Sequence, residues 1–141
     1  MVVVIGIIAI LAAIVIIAIN PARQFAQARN SQRVSNVNAI LNAIGQNIAD
    51  NKGIFTCSAG TLPAAATVMG TGAGDYNVRP CIVPTYLPEI PFDPSATGAS
   101  INNTQYTVVQ DATTKRVTVT APEALNETAI SATPPAITVT R

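Results

Sequence analysis

Histidine and tryptophan are absent from this 141-residue chain, cysteine occurs twice, and charged residues make up only 11% of it. Each shortage excludes something. Without histidine, the commonest general base and the commonest metal ligand are lost together. Eight Lys/Arg against seven Asp/Glu leave a net charge of +1, which supplies no dedicated basic face for a nucleic acid. The charged fraction lies far below the usual quarter, whereas 49% of the chain is hydrophobic. That imbalance has two sources. The first 22 residues carry no charged side chain, and the remainder prefers Thr, Ser, Asn and Ala to Lys and Glu. A neutral, Thr-rich surface suits an exported protein better than a cytosolic enzyme. At this length there is room for one modest core plus an appendage.

The two cysteines, Cys57 and Cys81, stand 24 positions apart, too far for a redox CxxC and too few for a four-ligand zinc site. A disulfide fits an exported chain with a weak core; a pair of unlinked buried thiols is the alternative. Closing a loop of that size would contribute roughly 3–4 kcal/mol in the chain-entropy picture.

What is present begins with an unbroken apolar run, Met1 to Ile19. As a helix it reaches ~28 Å, about the thickness of a bilayer's hydrocarbon. Three readings compete: a cleavable secretory signal, which would want basic residues at the start and a shorter apolar stretch, a plain single-span anchor, and a helix stored in lipid and later packed against copies of itself.

From Asn20 to Asp50 the pattern is helical with one wet face. Val34, Val37, Leu41, Ile44 and Ile48 recur at steps of three, four, three and four, with Ile40 widening the stripe. They are the residues expected to rest on a sheet. Asn20 and Pro21 either cap a new helix or kink and loosen a single one that would run ~75 Å to about residue 51. Between Arg23 and Arg33 no such stripe is visible, which predicts a neck. Asn51-Lys52-Gly53 reads as a stop.

The C-terminal part is β-like. Gln105–Gln110 and Lys115–Ala121 flank a short hairpin connection at Asp111–Thr114, and Ala136–Arg141 supplies a third strand. Alternation places Val117, Val119 and Ala121 on one face, with Thr118 and Thr120 on the other. Residues 53–104 hold most of the Gly and Pro and show no sustained period. The chain thus divides into an apolar helix half (1–22), an amphipathic helix half (23–52), an irregular loop pinned by the cysteines (53–104) and an antiparallel sheet (105–141). The fold class expected is α+β, one long helix laid across a sheet of about three strands.

The run VVVIGIIAILAAIVIIAINPARQFAQARNSQR resembles the N-terminal helix of type IV pilins and of the related type II secretion pseudopilins. The likeness covers roughly the first 50 residues, and VVIGIIAILAAI is its specific part. Tyr86-Leu-Pro-Glu-Ile-Pro-Phe-Asp-Pro94 is similar, more weakly, to a Pro-x-Asp-Pro loop in major pseudopilins and some pilins. The resemblance implies a helix half exposed and half packed on an antiparallel sheet. It also implies a structural subunit, not an enzyme. Its partners would be copies of itself in a helical homopolymer, inner-membrane lipid before assembly, and the pilus or secretion assembly machinery. The filament would stand outside the cell and serve adhesion, motility or DNA uptake. A pseudopilin in a secretion machine is the alternative role, and a membrane-anchored binding module the alternative class.

On this reading Val4, Ile5, Gly6, Ile8, Ala9, Leu11, Ala12, Ala13, Val15, Ile16 and Ile19 pack in the filament centre, and Gly6, Ala9, Ala12, Ala13 and Ala18 permit close approach. Arg23, Arg29 and Arg33 would sit near the filament's inner shell or lipid headgroups, or else be solvated surface charge. The resemblance has departures. Family members begin with Phe-Thr-Leu-Ile-Glu-Leu immediately before the stretch matching Met1-Val2-Val3, and here that segment, with its glutamate, does not precede it. The chain is therefore expected to start late relative to a mature family member, the alternative being assembly without that glutamate. The Trp that often follows Asp-Pro in pseudopilins is missing too. Near Asp93 only Glu89 is a second acid, few oxygens for the calcium loop of that group, so no cofactor is expected, with calcium as the alternative. Aromatics are 4% and none precedes Phe25, which speaks against electron conduction along a fibre. Asn102-Asn-Thr104 and Asn126-Glu-Thr128 both match the short Asn-x-Thr glycosylation pattern.

Overall fold

The computed structural model describes residues 1–141 and has an α+β architecture. Helix α1 covers Val2–Ile19 and helix α2 covers Pro21–Asp50. Asn20 separates them with φ 49° and ψ 80°. A residue before proline is pushed out of the right-handed helical region, and asparagine is one of the few side chains that tolerates the left-handed one. Pro21 has no N–H to return to the turn before it, and its fixed φ suits a first helical position. The Asn20 side chain accepts a hydrogen bond from the Arg23 amide at 3.4 Å. Of the two expectations for this point, a fresh helix is the one realised.

Helix α2, ~45 Å long at 1.5 Å per residue, ends where the sequence says it should. Lys52 and Gly53 both take positive φ, and the Gly53 amide donates to the Ile48 carbonyl at 2.8 Å. The sheet has four strands, one more than expected: β1 Thr67–Gly70, β2 Asn103–Gln110, β3 Val117–Ala121 and β4 Ile137–Thr140, antiparallel in that order. β1 lies inside the segment read as irregular loop. It is four residues of Thr-Val-Met-Gly, too short to show an alternation, and pairs Thr67 with Val108 and Val68 with Thr107. A one-turn helix, α3, covers Arg79–Ile82. Gly70 is fixed by close packing: a Cβ there would lie 2.6 Å from Asp75 Oδ2 and 2.9 Å from the Asn102 carbonyl oxygen.

In the sheet, Val117, Val119 and Ala121 are buried and Thr118 and Thr120 face outward, as the alternation requires. The hydroxyls of Thr118 and Thr140, and of Thr120 and Thr138, pair across β3 and β4 at 2.8 and 3.2 Å.

Helix α2 packs one step around from the apolar stripe read in the sequence. Its buried line is Ala26, Asn30, Arg33, Val37, Ile40, Ile44 and Asn47, an uninterrupted alternation of four and three. Val37, Leu41 and Ile44 are buried as expected, and Ile48 is partly buried against the core. Val34 is not: one residue past Arg33, it points outward and is 44% exposed. Nor is there a bare neck from Arg23 to Arg33, because the helix meets the head from Ala26 onward.

The segment 53–104 is integral to the core. Phe55, Leu62, Met69, Tyr76, Val78, Ile82 and Ile90 belong to the same buried cluster as the helix and sheet residues. Cys57 and Cys81 form a disulfide, and buried Asn47 fastens the same place. Its Nδ2 donates to the Thr56 and Cys81 carbonyls, both at 3.1 Å, and its Oδ1 accepts from the Thr56 amide at 2.9 Å. Reducing the disulfide should lower the stability of the head by roughly 3–4 kcal/mol and open residues 58–80 to protease first. Limited digestion with and without reductant measures this, and an unchanged cleavage pattern would contradict it.

Candidate functional site: a bare helix and an ionic clamp

Every residue of α1 is exposed, and none touches the head closely enough to be buried. Val4, Ile5, Gly6, Ile8, Ala9, Leu11, Ala12, Ala13, Val15, Ile16 and Ile19 all stand on this helix with no cover from their own chain. Its apolar side chains surround the whole circumference, so it has no polar side to give to water. It is long and apolar enough to cross a membrane, by length and composition.

The head holds the other unusual feature. Arg33 is on α2 with its side chain fully buried, as is that of Asp93, which it meets. Arg33 Nε donates to Asp93 Oδ2 at 2.7 Å and Nη2 to Asp93 Oδ1 at 3.0 Å. Nη2 also donates to Ser95 Oγ at 2.7 Å. Nη1 donates to Asn30 Oδ1 at 2.8 Å and to Glu127 Oε1 at 2.7 Å. A guanidinium has five N–H donors in a fixed planar fork, and all are used here. Glu127 lies just beyond the short 3-10 helix Pro122–Asn126, and Arg29 grips it from one turn earlier on α2 at 2.6 and 2.7 Å. Beside the cluster, Asn36 Nδ2 donates to the Phe92 carbonyl and to Tyr106 Oη, at 3.2 and 2.9 Å. No buried side-chain polar atom is left without a partner.

The charges are tuned accordingly. The hydrogen bonds from Arg29, helped by Arg33, hold the Glu127 carboxyl down to about 2 against the opposing effect of burial. Burial works hardest against the Asp93 carboxylate, yet Arg33 and the amides of Ser95 and Ala96 outweigh it and keep its pKa below the ordinary value. Burial pushes the Tyr106 phenol up to about 12.

The expectation for the three arginines is corrected by the structure. Of Arg23, Arg29 and Arg33, only Arg23 is an open surface cation; Arg29 is half-buried on Glu127, and Arg33 is internal. Asp93 and Glu89 do not act together: Asp93 is engaged by Arg33, while Glu89 faces Arg79 at 2.7 Å on the surface. The weak Pro-x-Asp-Pro likeness therefore marks a structural aspartate whose oxygens are already taken. An in-phase reading of Ala26, Asn30 and Arg33 with Val37, Ile40 and Ile44 would have found the clamp. A search for apolar side chains alone passes over it.

Comparison of the chain with protein-family models, with characterised proteins and with solved structures finds no match.

Glu127 and Asp93 have lowered pKa values in the folded head, so the stability they confer is present above their unfolded values and lost as pH falls through the folded ones. For Glu127 the drop from 4.5 to about 2 corresponds to roughly 3 kcal/mol. The full chain in non-ionic detergent should keep a flat melting temperature near neutrality, then lose stability steadily from about pH 4.5 to 2. In Glu127→Gln the melting temperature should start lower and fall less steeply across that window. Parallel profiles would contradict the assignment.

Proposed function

We propose that this chain is a structural subunit that polymerises through α1 into an extracellular filament of the type IV pilus kind. One observation carries the reading: the head is complete without α1, yet α1 leaves all 18 of its residues uncovered. Apolar surface on that scale needs either lipid or other apolar surface. A chain with one such helix is soluble in the bilayer before assembly and among its own copies afterwards. Burying the helix on every side supplies tens of kcal/mol gross per subunit at about 25 cal/mol per Å², and Gly6, Ala9, Ala12, Ala13 and Ala18 allow backbones to approach. A rod with staggered copies makes heterologous contacts that do not close into a ring, which is what a fibre requires.

The head supports the same reading through its charge. Arg29 and Arg33 are engaged by Glu127 and Asp93, which leaves Arg23 as the open cation near α1, and beyond it the exposed face of α2 presents Gln24, Ala28, Gln32, Ser35, Asn42 and Gln46. A face of that kind packs beside a neighbour without desolvating an ion. The subunit's work is mechanical and adhesive, with no catalytic role. It would wait in the inner membrane and end on the cell surface, handled by the assembly machinery in between. The segment Tyr86–Pro94 favours a second reading, a major pseudopilin in a short periplasmic filament.

Placing Asp at position 12 (Ala12→Asp) should abolish fibres while the head keeps its melting temperature, because a lone carboxylate in a packed apolar centre has no partner. Electron microscopy of sheared cell-surface material measures it. Long fibres from the parent chain and none from the variant are expected. Normal fibres from the variant would overturn the assembly model, and a secretion defect without surface fibres in a deletion strain would favour the pseudopilin.

A further inference from the structure

The sequence offers two Asn-x-Thr triplets, and the fold treats them in opposite ways. Transfer of a glycan to asparagine requires both the amide and the hydroxyl two residues on to be reachable. In Asn102-Asn103-Thr104 the hydroxyl is unreachable. Thr104 is 1% exposed, its Oγ1 donates to the Met69 carbonyl at 2.8 Å, and it accepts from the Tyr106 amide at 3.2 Å. Exposing it would mean pulling β2 away from β1.

Asn126-Glu127-Thr128 is built the other way round. The Thr128 amide donates to the Asn126 carbonyl at 2.9 Å, and Glu127 has φ −80° and ψ 60°. That is an inverse γ-turn centred on the middle residue of the triplet. The central side chain enters the head and is held by Arg29 and Arg33. The flanking side chains of Asn126 and Thr128 are both exposed. Asn126 Nδ2 makes one contact, donating to Glu123 Oε2 at 2.9 Å on the surface, and Thr128 Oγ1 makes none. The clamp thus serves as a fixed post that presents asparagine and threonine together to solvent.

We propose that Asn126 is an N-glycosylation site and that Asn102 is not. The donor class is an oligosaccharide carried on a polyprenyl diphosphate, a lipid-borne substrate that shares a membrane with a chain anchored through α1. In the transfer, Asn126 Nδ2 attacks the anomeric carbon and the bond from that carbon to the phosphate oxygen breaks. The new C–N bond forms, polyprenyl diphosphate leaves with the electron pair, and one amide proton passes to a carboxylate of the transferase. No oxidant or reductant is needed. The sugar would stand beside the clamp, against the first third of α2. This rests on the proposed function only in placing the head on the outer side of the membrane; it does not require a filament.

The test is mass spectrometry of the full chain purified from its native cells. Trypsin separates the two triplets, because Asn126 falls in the peptide 117–141 and Asn102 in the peptide 53–115. The expected result is a hexose-containing increment on Asn126, located by fragmentation, with the other peptide unmodified. It should be lost in Asn126→Gln and in Thr128→Ala and kept in Thr128→Ser, with the melting temperature of each unglycosylated head showing that it is folded. An unmodified 117–141 peptide, a sugar on Asn102, or a sugar that persists in Asn126→Gln would overturn the proposal. A glycosylated chain that forms no fibres would uphold it while overturning the filament reading, and bare fibres would do the reverse.

Discussion

Eighteen consecutive apolar residues stand on one helix with none of them covered by the rest of the chain, and water is a poor solvent for all of them. A side chain of the Val, Leu or Ile class gains roughly 1.5–3 kcal/mol on full burial, and in α1 that gain is open on every side of the helix. The head does not provide the cover: α1 has no buried residue, and the left-handed turn at Asn20 with the proline after it starts a separate helix, α2, which is the one that packs on the sheet. What α1 needs around it is lipid or other apolar surface. Location, partner and oligomeric behaviour all depend on which of these it meets.

The head is arranged so that α1 need not contribute to its stability. α2 crosses the sheet on a line that is apolar in the middle, at Val37, Ile40 and Ile44, and polar at both ends. At one end Arg33 draws in Asp93 and Glu127, tying together stretches 60 and 94 residues away. At the other end Asn47 holds the loop at Thr56 and the one-turn helix α3 at Cys81, on either side of the disulfide. A buried ion pair is seldom a large net gain, because desolvation consumes most of the Coulomb attraction. Its effect here is on geometry: it fixes one register of the loop and the 3-10 turn on the helix. It also removes two positive charges from the helix surface next to the apolar segment.

Much of this was legible in the residues. The apolar run, the Asn-Pro break, the stop at Gly53, the β2–β3 hairpin with its valines inward, the terminal strand and the cysteine pair all follow from local chemistry that acts over a few positions. β1 was hidden because four residues in a glycine-rich stretch carry no usable period, and only pairing with β2 makes them a strand. Val34 was misplaced because it is apolar and sits at a plausible spacing, whereas the true line runs through Arg33 beside it. Charge in a helix is ordinarily a sign of solvent. Here it is internal, since Asp93 and Glu127 arrive from far along the chain, and no window on α2 contains them.

The central claim is that α1 exchanges lipid for other copies of itself. Nitroxide spin labels at position 13, introduced through Ala13→Cys in a chain whose disulfide is intact, report the distance between helices directly. In dilute bilayers the labels should show no mutual dipolar broadening. In polymerised material they should broaden strongly, as expected for helices packed about 8–10 Å apart. Labels that remain magnetically isolated in both states would contradict the account and leave α1 as an anchor only.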